Sequence, residues 1–300
     1  MKKRLEGVFG PVVTTFYREG GELDLASFAA NVLSHVAAGL HGVVVAGSTG
    51  EAALLDANER RELVNAAREV LPSDKALLVG TGAESTRTAI QLTRDAAERG
   101  ADAVLVVSPH YYGANMTAPA LKQHYWRLAD QSPVPVLLYN IPKYMHFSLG
   151  PELVHELSMH ENIVGIKDSS GNRELMSSYL NCASESFAIL TGNAQIFQYS
   201  LQAGARGGIL AVGLFAPALA LDVYESQRRG DSAAAGAAQE RLAPLGARIV
   251  GELGIAGVKA ALDYVGLVGG PVRSPLMPLT DAQRGDVEQL MRAAELSPIG

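Results

Sequence analysis

Ile163-Val164-Gly165-Ile166-Lys167-Asp168-Ser169 reads as a short, mostly apolar strand that ends in a lysine. Side chains alternate along a strand, so Ile163, Gly165 and Lys167 share one face and Val164 and Ile166 the other. A glycine on the lysine's face leaves open space beneath a long side chain. A lysine at the end of a buried strand must find a partner or lose its proton, unless the strand has simply ended and the side chain lies in water.

The same kind of run recurs along the chain. Strands are predicted at Val8–Thr15, Gly42–Ser48, Ala76–Gly82, Ala103–Ser108, Pro135–Ile141, Phe187–Gly192 and Gly208–Val212 as well as Ile163–Ser169. Between them the spacing predicts helices such as Asp24–Ala38, Ala57–Val70, Ser85–Arg99, Ala118–Gln131 and Pro151–Ser158. Asp24, Asp56, Ser85 and Thr117 stand where N-caps belong, and Gly39 and Gly100 where helices end. Near-continuous apolar strands alternating with helices indicate a parallel sheet covered on both faces. Eight such units over roughly 230 residues fit a closed α/β architecture, a (β/α)8 TIM barrel, better than an open doubly wound sheet. No Gly-rich fingerprint opens the first helix, which argues against a dinucleotide fold. The expected division is a barrel over residues 1–230 and a wholly helical C-terminal subdomain over 231–300, with an Ala-rich start at Ala233–Ala238 and a last helix at Asp281–Ala294.

Composition narrows the classes further. Of the 300 residues 48% are hydrophobic and 19% charged, enough for a large core. The net charge of −6 is spread along the chain without a basic run, so neither nucleic acid nor a membrane surface is an expected partner. Lys2, Lys3 and Arg4 begin like a signal peptide, but Glu6, Gly7 and Gly10 follow in place of an apolar core. The run Gly207–Leu221 is too short to span a bilayer. The single cysteine, Cys182, excludes an internal disulfide and fits a reducing compartment, so a cytoplasmic protein is expected.

In a (β/α)8 barrel, reactive residues gather at the C-terminal ends of the strands. There the sequence places Gly47-Ser48-Thr49-Gly50-Glu51, Ser108-Pro109-His110-Tyr111-Tyr112, Tyr139-Asn140-Ile141-Pro142, Lys167 and Thr191-Gly192-Asn193. Two hydroxyls between glycines suit a carboxylate, although an ordinary strand-to-loop turn has the same composition. The paired tyrosines also fit simple packing. No metal and no other cofactor is expected, because His and carboxylates do not cluster at these ends. His35, His124, His155 and His160 fall in helical stretches as surface or packing residues, while His110 and His146 follow strand ends. A neutral amine at Lys167 would attack a carbonyl, and the iminium would withdraw electrons from the adjacent carbon. Tyr139, sharing a face with Leu137, would move the protons.

With these motifs in place, the chain resembles the pyruvate-dependent class I aldolases that include dihydrodipicolinate synthase and N-acetylneuraminate lyase. The resemblance runs from Gly7-Val8 to about Leu279. It is carried by Gly47-Ser48-Thr49-Gly50-Glu51, Tyr139-Asn140-Ile141-Pro142 and Gly165-Ile166-Lys167-Asp168 in the family's order. It implies a Schiff base between Lys167 and pyruvate or another 2-oxo acid, with Ser48, Thr49 and Gly50 at its carboxylate. It implies a relay of Tyr139, Ser48 and a tyrosine lent by a neighbouring subunit, here Tyr111, and hence a homotetramer built as a dimer of dimers. The synthases carry an arginine two residues after the motif's proline, where this chain has Tyr144 beside Lys143. Gly82-Ala83-Glu84-Ser85-Thr86, His124-Tyr125, Lys167-Asp168-Ser169 and Gly269-Gly270-Pro271-Val272-Arg273 look closer to 4-hydroxy-2-oxoglutarate aldolase, with Ser169, Asn193 and Tyr144 toward the distal end of the substrate. The expected activity is therefore cleavage or formation of a 4-hydroxy-2-oxo acid from a 2-oxo acid and an aldehyde. The alternatives are condensation of pyruvate with aspartate semialdehyde and, from another class, a non-catalytic barrel that binds an oxo acid.

Overall fold

The structure, a computed structural model, describes residues 5–17 and 21–297. The Lys2-Lys3-Arg4 start considered above lies outside the described residues. Eight parallel strands close into a barrel in sequence order. They are β1 (Gly7–Pro11), β2 (Gly42–Val45), β3 (Ala76–Gly80), β4 (Ala103–Val107), β5 (Val136–Asn140), β6 (Ile163–Asp168), β7 (Ala188–Thr191) and β8 (Gly207–Ile209). Each predicted strand is present but stops one to four residues sooner than expected. Beyond those points the chains turn across the barrel mouth and leave the ladder, so Ser48, Ser169 and Asn193 belong to loops.

Helices cover the outside: α1 (Leu25–Ala37), α2 (Ala57–Val70), α3 (Thr86–Glu98), α4 (Ala118–Gln131), the single turn α5 (Pro142–Met145), α6 (Pro151–Ser158), α7 (Arg173–Leu180), α8 (Phe197–Gln202) and α9 (Pro217–Arg228). The four capping residues named from sequence do cap. Asp24 accepts from Ser27 N–H, Ser85 from Thr88 N–H and Thr117 from Ala120 N–H. Asp56 and Glu59 form a reciprocal capping box. Gly39 and Gly100 take positive φ (100° and 84°) past their helix ends, where a β-carbon would be strained.

After Asp231 the chain forms α10 (Ser232–Leu245), a π-helical segment (Gly246–Glu252), α11 (Gly254–Tyr264) and α12 (Asp281–Ala293). The expectation of a wholly helical tail is corrected at residues 265–280, which are non-helical. Gly266 and Gly270 sit at φ 84° and 69°, and Pro271, Pro275 and Pro278 supply no N–H to continue a helix. The π-helical segment follows Pro244, which lies inside α10 and cannot donate to the carbonyl four residues back; the next turn widens instead. Leu242, Leu245 and Ile249 from this region pack in one cluster with Val8, Val13 and Leu40 of the barrel side, so the core is continuous between them. No helix among the described residues is long and apolar enough to cross a membrane.

Candidate active site

Strands β5 and β6 pair with Tyr139 opposite Lys167 and Asn140 opposite Asp168. Alternation sends the first pair into the barrel and the second outward. On the outer face Asn140 Nδ2 donates to Asp168 Oδ1 at 2.7 Å, and Asn140 Oδ1 accepts from Leu149 N–H at 3.0 Å. Asp168 also accepts from the Ser170 N–H and hydroxyl. Burial pushes the Asp168 carboxyl above the usual carboxylate range, against these hydrogen bonds. On the inner face Lys167, only 5% exposed, places Nζ 4.2 Å from the centroid of the Tyr139 ring.

Room for the lysine comes chiefly from Gly192, on the loop after β7. A β-carbon there would lie 2.7 Å from Lys167 Cε and 2.0 Å from Ser169 Oγ. Gly165, the glycine on the lysine's own strand, has a different reason: its β-carbon would strike the Ala188 carbonyl at 2.2 Å and Leu137 Cδ1 at 2.9 Å. It permits close strand packing and does not itself vacate the site.

The loop after β2 is a tight turn. Gly47 O accepts from Gly50 N–H (3.0 Å) and Ala52 N–H (3.2 Å), and Ser48 O accepts from Glu51 N–H (3.1 Å). Thr14 Oγ1 donates to Gly50 O at 2.6 Å, and a β-carbon at Gly50 would press on Val12 O at 2.9 Å. Ala46 and Glu51 flank the turn with φ of 51° and 56°, a left-handed conformation that costs energy in residues with a β-carbon.

These loops enclose a cavity of about 160 Å³ at the C-terminal end of the barrel. Ser48, Thr49, Tyr139, Tyr144, Lys167, Ser169 and Asn193 all line it, so seven of the nine site residues expected from sequence come together. Gly50 shapes the turn without lining the cavity. Tyr111 also stands outside it, 77% exposed and edge-on to Tyr112 at 5.0 Å between ring centroids. Glu84 Oε2 holds the backbone there by accepting from the N–H groups of His110 and Tyr111. Neither His110 nor His146 reaches the cavity.

The sequence assigned no place at the cavity to Gln195 or to Gly246, Val250 and Gly251 of the π-helical segment, and named Lys143 only as the neighbour of Tyr144; all of them line it. Lys143 Nζ donates to Gly251 O at 2.7 Å and lies 5.7 Å from the Tyr144 ring centroid. That bond ties the turn after β5 to the widened helix. Burial, with Tyr139 nearby, raises the Tyr144 phenol above its ordinary pKa. Hydroxyl donors, an amine against a phenol, and a cation at the rim make a site able to hold a small oxo acid beside a nucleophile.

A model of the dihydrodipicolinate synthetase family matches residues 4–294. The chain belongs to that family. The 4-hydroxy-tetrahydrodipicolinate synthase of Methanoculleus marisnigri is 35% identical over 288 residues, covering 95% of this chain and 98% of the relative. That of Pseudomonas syringae pv. syringae is 35% identical over 272 residues, covering 91% and 92%. Among solved structures, the chloride-inhibited dihydrodipicolinate synthase of Acinetobacter baumannii, complexed with pyruvate, superposes with a TM-score of 0.93 at 29% identity, covering 98% of this chain and all of that one. YagE, a prophage protein of the same family from E. coli K12, also in complex with pyruvate, gives 0.92 at 28% identity, covering 97% and 99%. The dihydrodipicolinate synthetase family is thus established for this chain by fold and by sequence, and with it a class I, Schiff-base-forming aldolase.

Proposed function

We propose that this enzyme condenses pyruvate with aspartate semialdehyde. The observation that carries the pyruvate half is the placement of Lys167 Nζ against the Tyr139 ring, in one cavity with Ser48 and Thr49. The neutral amine adds to the C2 carbonyl of pyruvate and water leaves, giving an iminium. Loss of a C3 proton through Tyr139 gives the enamine, whose carbon attacks the aldehyde. The new alkoxide takes a proton back along the same relay, and water releases the product from Lys167. Ser48 and Thr49 hold the pyruvate carboxylate with hydroxyl and backbone donors, with Gly50 fixing the turn beneath them. Ser169, Asn193 and Tyr144 face the acceptor. Tyr111 enters the relay from a second copy of the chain in a homotetramer.

The named synthases among the relatives favour this acceptor over the 4-hydroxy-2-oxoglutarate substrate expected from sequence. One observation favours the second reading, aldol cleavage of a 4-hydroxy-2-oxo acid. Tyr144 stands two residues after Pro142, where the resemblance gives the synthases an arginine, and the cation beside it at the cavity is Lys143, a point charge in place of a bidentate fork. Borohydride trapping with pyruvate, followed by peptide mapping, tests the shared chemistry. An adduct on Lys167 that Lys167→Ala abolishes is expected; a folded wild type that traps no pyruvate refutes it. Coupled turnover of pyruvate with aspartate semialdehyde, compared with cleavage of 4-hydroxy-2-oxoglutarate, then separates the two readings.

A further inference from the structure

Glu51 closes the hydroxyl turn in a strained, left-handed conformation (φ 56°, ψ 33°), and its carboxylate is fully buried. Oε1 lies 2.6 Å from Lys259 Nζ, itself buried, and Oε2 accepts from Arg273 N–H at 2.8 Å. Lys259 Nζ also donates to Pro271 O at 2.6 Å and sits 4.7 Å from the Phe16 ring centroid. The Arg273 guanidinium forks onto both oxygens of Glu59 (2.8 and 2.6 Å) and donates to Leu54 O at 2.8 Å. Segment 269–273 therefore grips the chain from the turn after β2 into the first turn of α2 at three points: Glu51, Leu54 and Glu59.

A buried ion pair is a poor source of net stability, because desolvation offsets most of the attraction; an apolar pair of equal volume would serve as well. What the ion pair adds is direction. It fixes one end of a strained turn whose other residues, Ser48 and Thr49, line the cavity. Lys259 is carried on α11 next to Val258, which lines the same cavity.

We propose that Lys259 is a positioning residue: its buried ion pair with Glu51 holds the turn so that Ser48 and Thr49 face the substrate carboxylate. The proposal rests on the carboxylate role given to those hydroxyls above. It is tested on the full chain with Glu51→Gln, Lys259→Met and the double variant, using backbone hydrogen exchange and borohydride trapping with pyruvate.

Exchange across residues 46–52 is expected to rise at least about tenfold in each single variant, with β6 unchanged. Half-saturating pyruvate is expected to rise about ten- to hundredfold, as for loss of a charge-assisted hydrogen bond, while the trapped yield at saturation stays on Lys167. The double variant is expected to be no worse than the worse single, since the two residues act as one unit. Folded variants with wild-type exchange over 46–52 overturn the proposal, and additive losses in the double variant overturn the pairing. Wild-type protein that traps no pyruvate refutes the function instead, and exchange still decides the positioning. Where the single variants do not fold, Glu51→Asp keeps the charge and shortens its reach by one methylene. The same loop opening is expected there, and its absence counts against the ion pair.

Discussion

One methyl group tests the geometry around Lys167. In Gly192→Ala the new β-carbon is built 2.7 Å from Lys167 Cε and 2.0 Å from Ser169 Oγ. Both neighbours are side-chain atoms, so the backbone can stay and the side chains must yield. Ser169 turns its hydroxyl away. Carbon pairs rest at about 3.5–4.0 Å, so Cε has to retreat by about 1 Å. Displacement of a reacting group by that distance lowers a rate about 10²-fold, or about 2.7 kcal/mol of barrier at 1.36 kcal/mol per tenfold. Overpacking costs the fold about 1–3 kcal/mol, which leaves the variant folded and measurable. The assay is the rate of pyruvate adduct formation on Lys167 under single-turnover trapping, with circular dichroism as the check on folding. A Gly192→Ala variant that traps pyruvate at the wild-type rate would show that the amine does not need this vacancy, and the reasoning from Gly192 would be wrong.

Further outcomes follow from other parts of the site and scaffold. Lys143→Gln, removing the rim cation bonded to Gly251 O, is expected to raise KM for aspartate semialdehyde about tenfold and leave KM for pyruvate unchanged, read by varying each substrate in turn. Asn140→Ala takes a charge-assisted donor from Asp168 and an acceptor from Leu149 N–H; urea unfolding is expected to show a loss of about 3 kcal/mol. Burial lowers the pKa of His35 and of His124 from 6.5 to about 4. Their folded-state values lie below the unfolded ones, so the stability they confer is complete above pH 6.5 and is lost as pH falls through 4. About 3 kcal/mol per histidine is at stake, and a Tm–pH profile should flatten over this window in a His35→Gln, His124→Gln variant.

The barrel was legible because its signals are local. Alternating apolar runs, capping side chains at Asp24, Asp56, Ser85 and Thr117, and terminal glycines each act within a few residues of themselves. Lys167 drew notice as a lysine ending an apolar strand, whereas Ser48 and Thr49 look like any strand-to-loop turn and were singled out, with Tyr139, through the family's motifs; all four line the cavity. Gly192 was not legible: as a glycine after a strand it looks like any turn, and only the neighbouring strand shows which side chain it accommodates. Glu51 stood in a quoted motif, but its role depends on Lys259 and Arg273, far along the chain. The widened helix after Pro244 was hidden as well, since a proline within an Ala- and Leu-rich run fits a kink or a break equally well. The helix breakers Gly266, Gly270 and Pro271 are visible in the sequence, and their local effect outweighs the helical composition of the tail as a whole. The preference for 4-hydroxy-2-oxoglutarate rested on short loop matches, and acceptor choice in such barrels turns on a few rim residues.

The Asn140–Asp168 contact on the outer face has a bearing on how this enzyme can change. Strands β5 and β6 are indexed to one another from behind, by side chains that do not line the cavity. The amine and the phenol on the inner face inherit that alignment without having to maintain it. On the proposed reading, exchanges at Tyr144, Ser169 or Asn193 can therefore alter the acceptor side of the cavity one residue at a time, while the pairing of Lys167 with Tyr139 stays as it is. A laboratory search for new aldol acceptors would start at those three positions, because a change there leaves the strand pairing behind the site untouched.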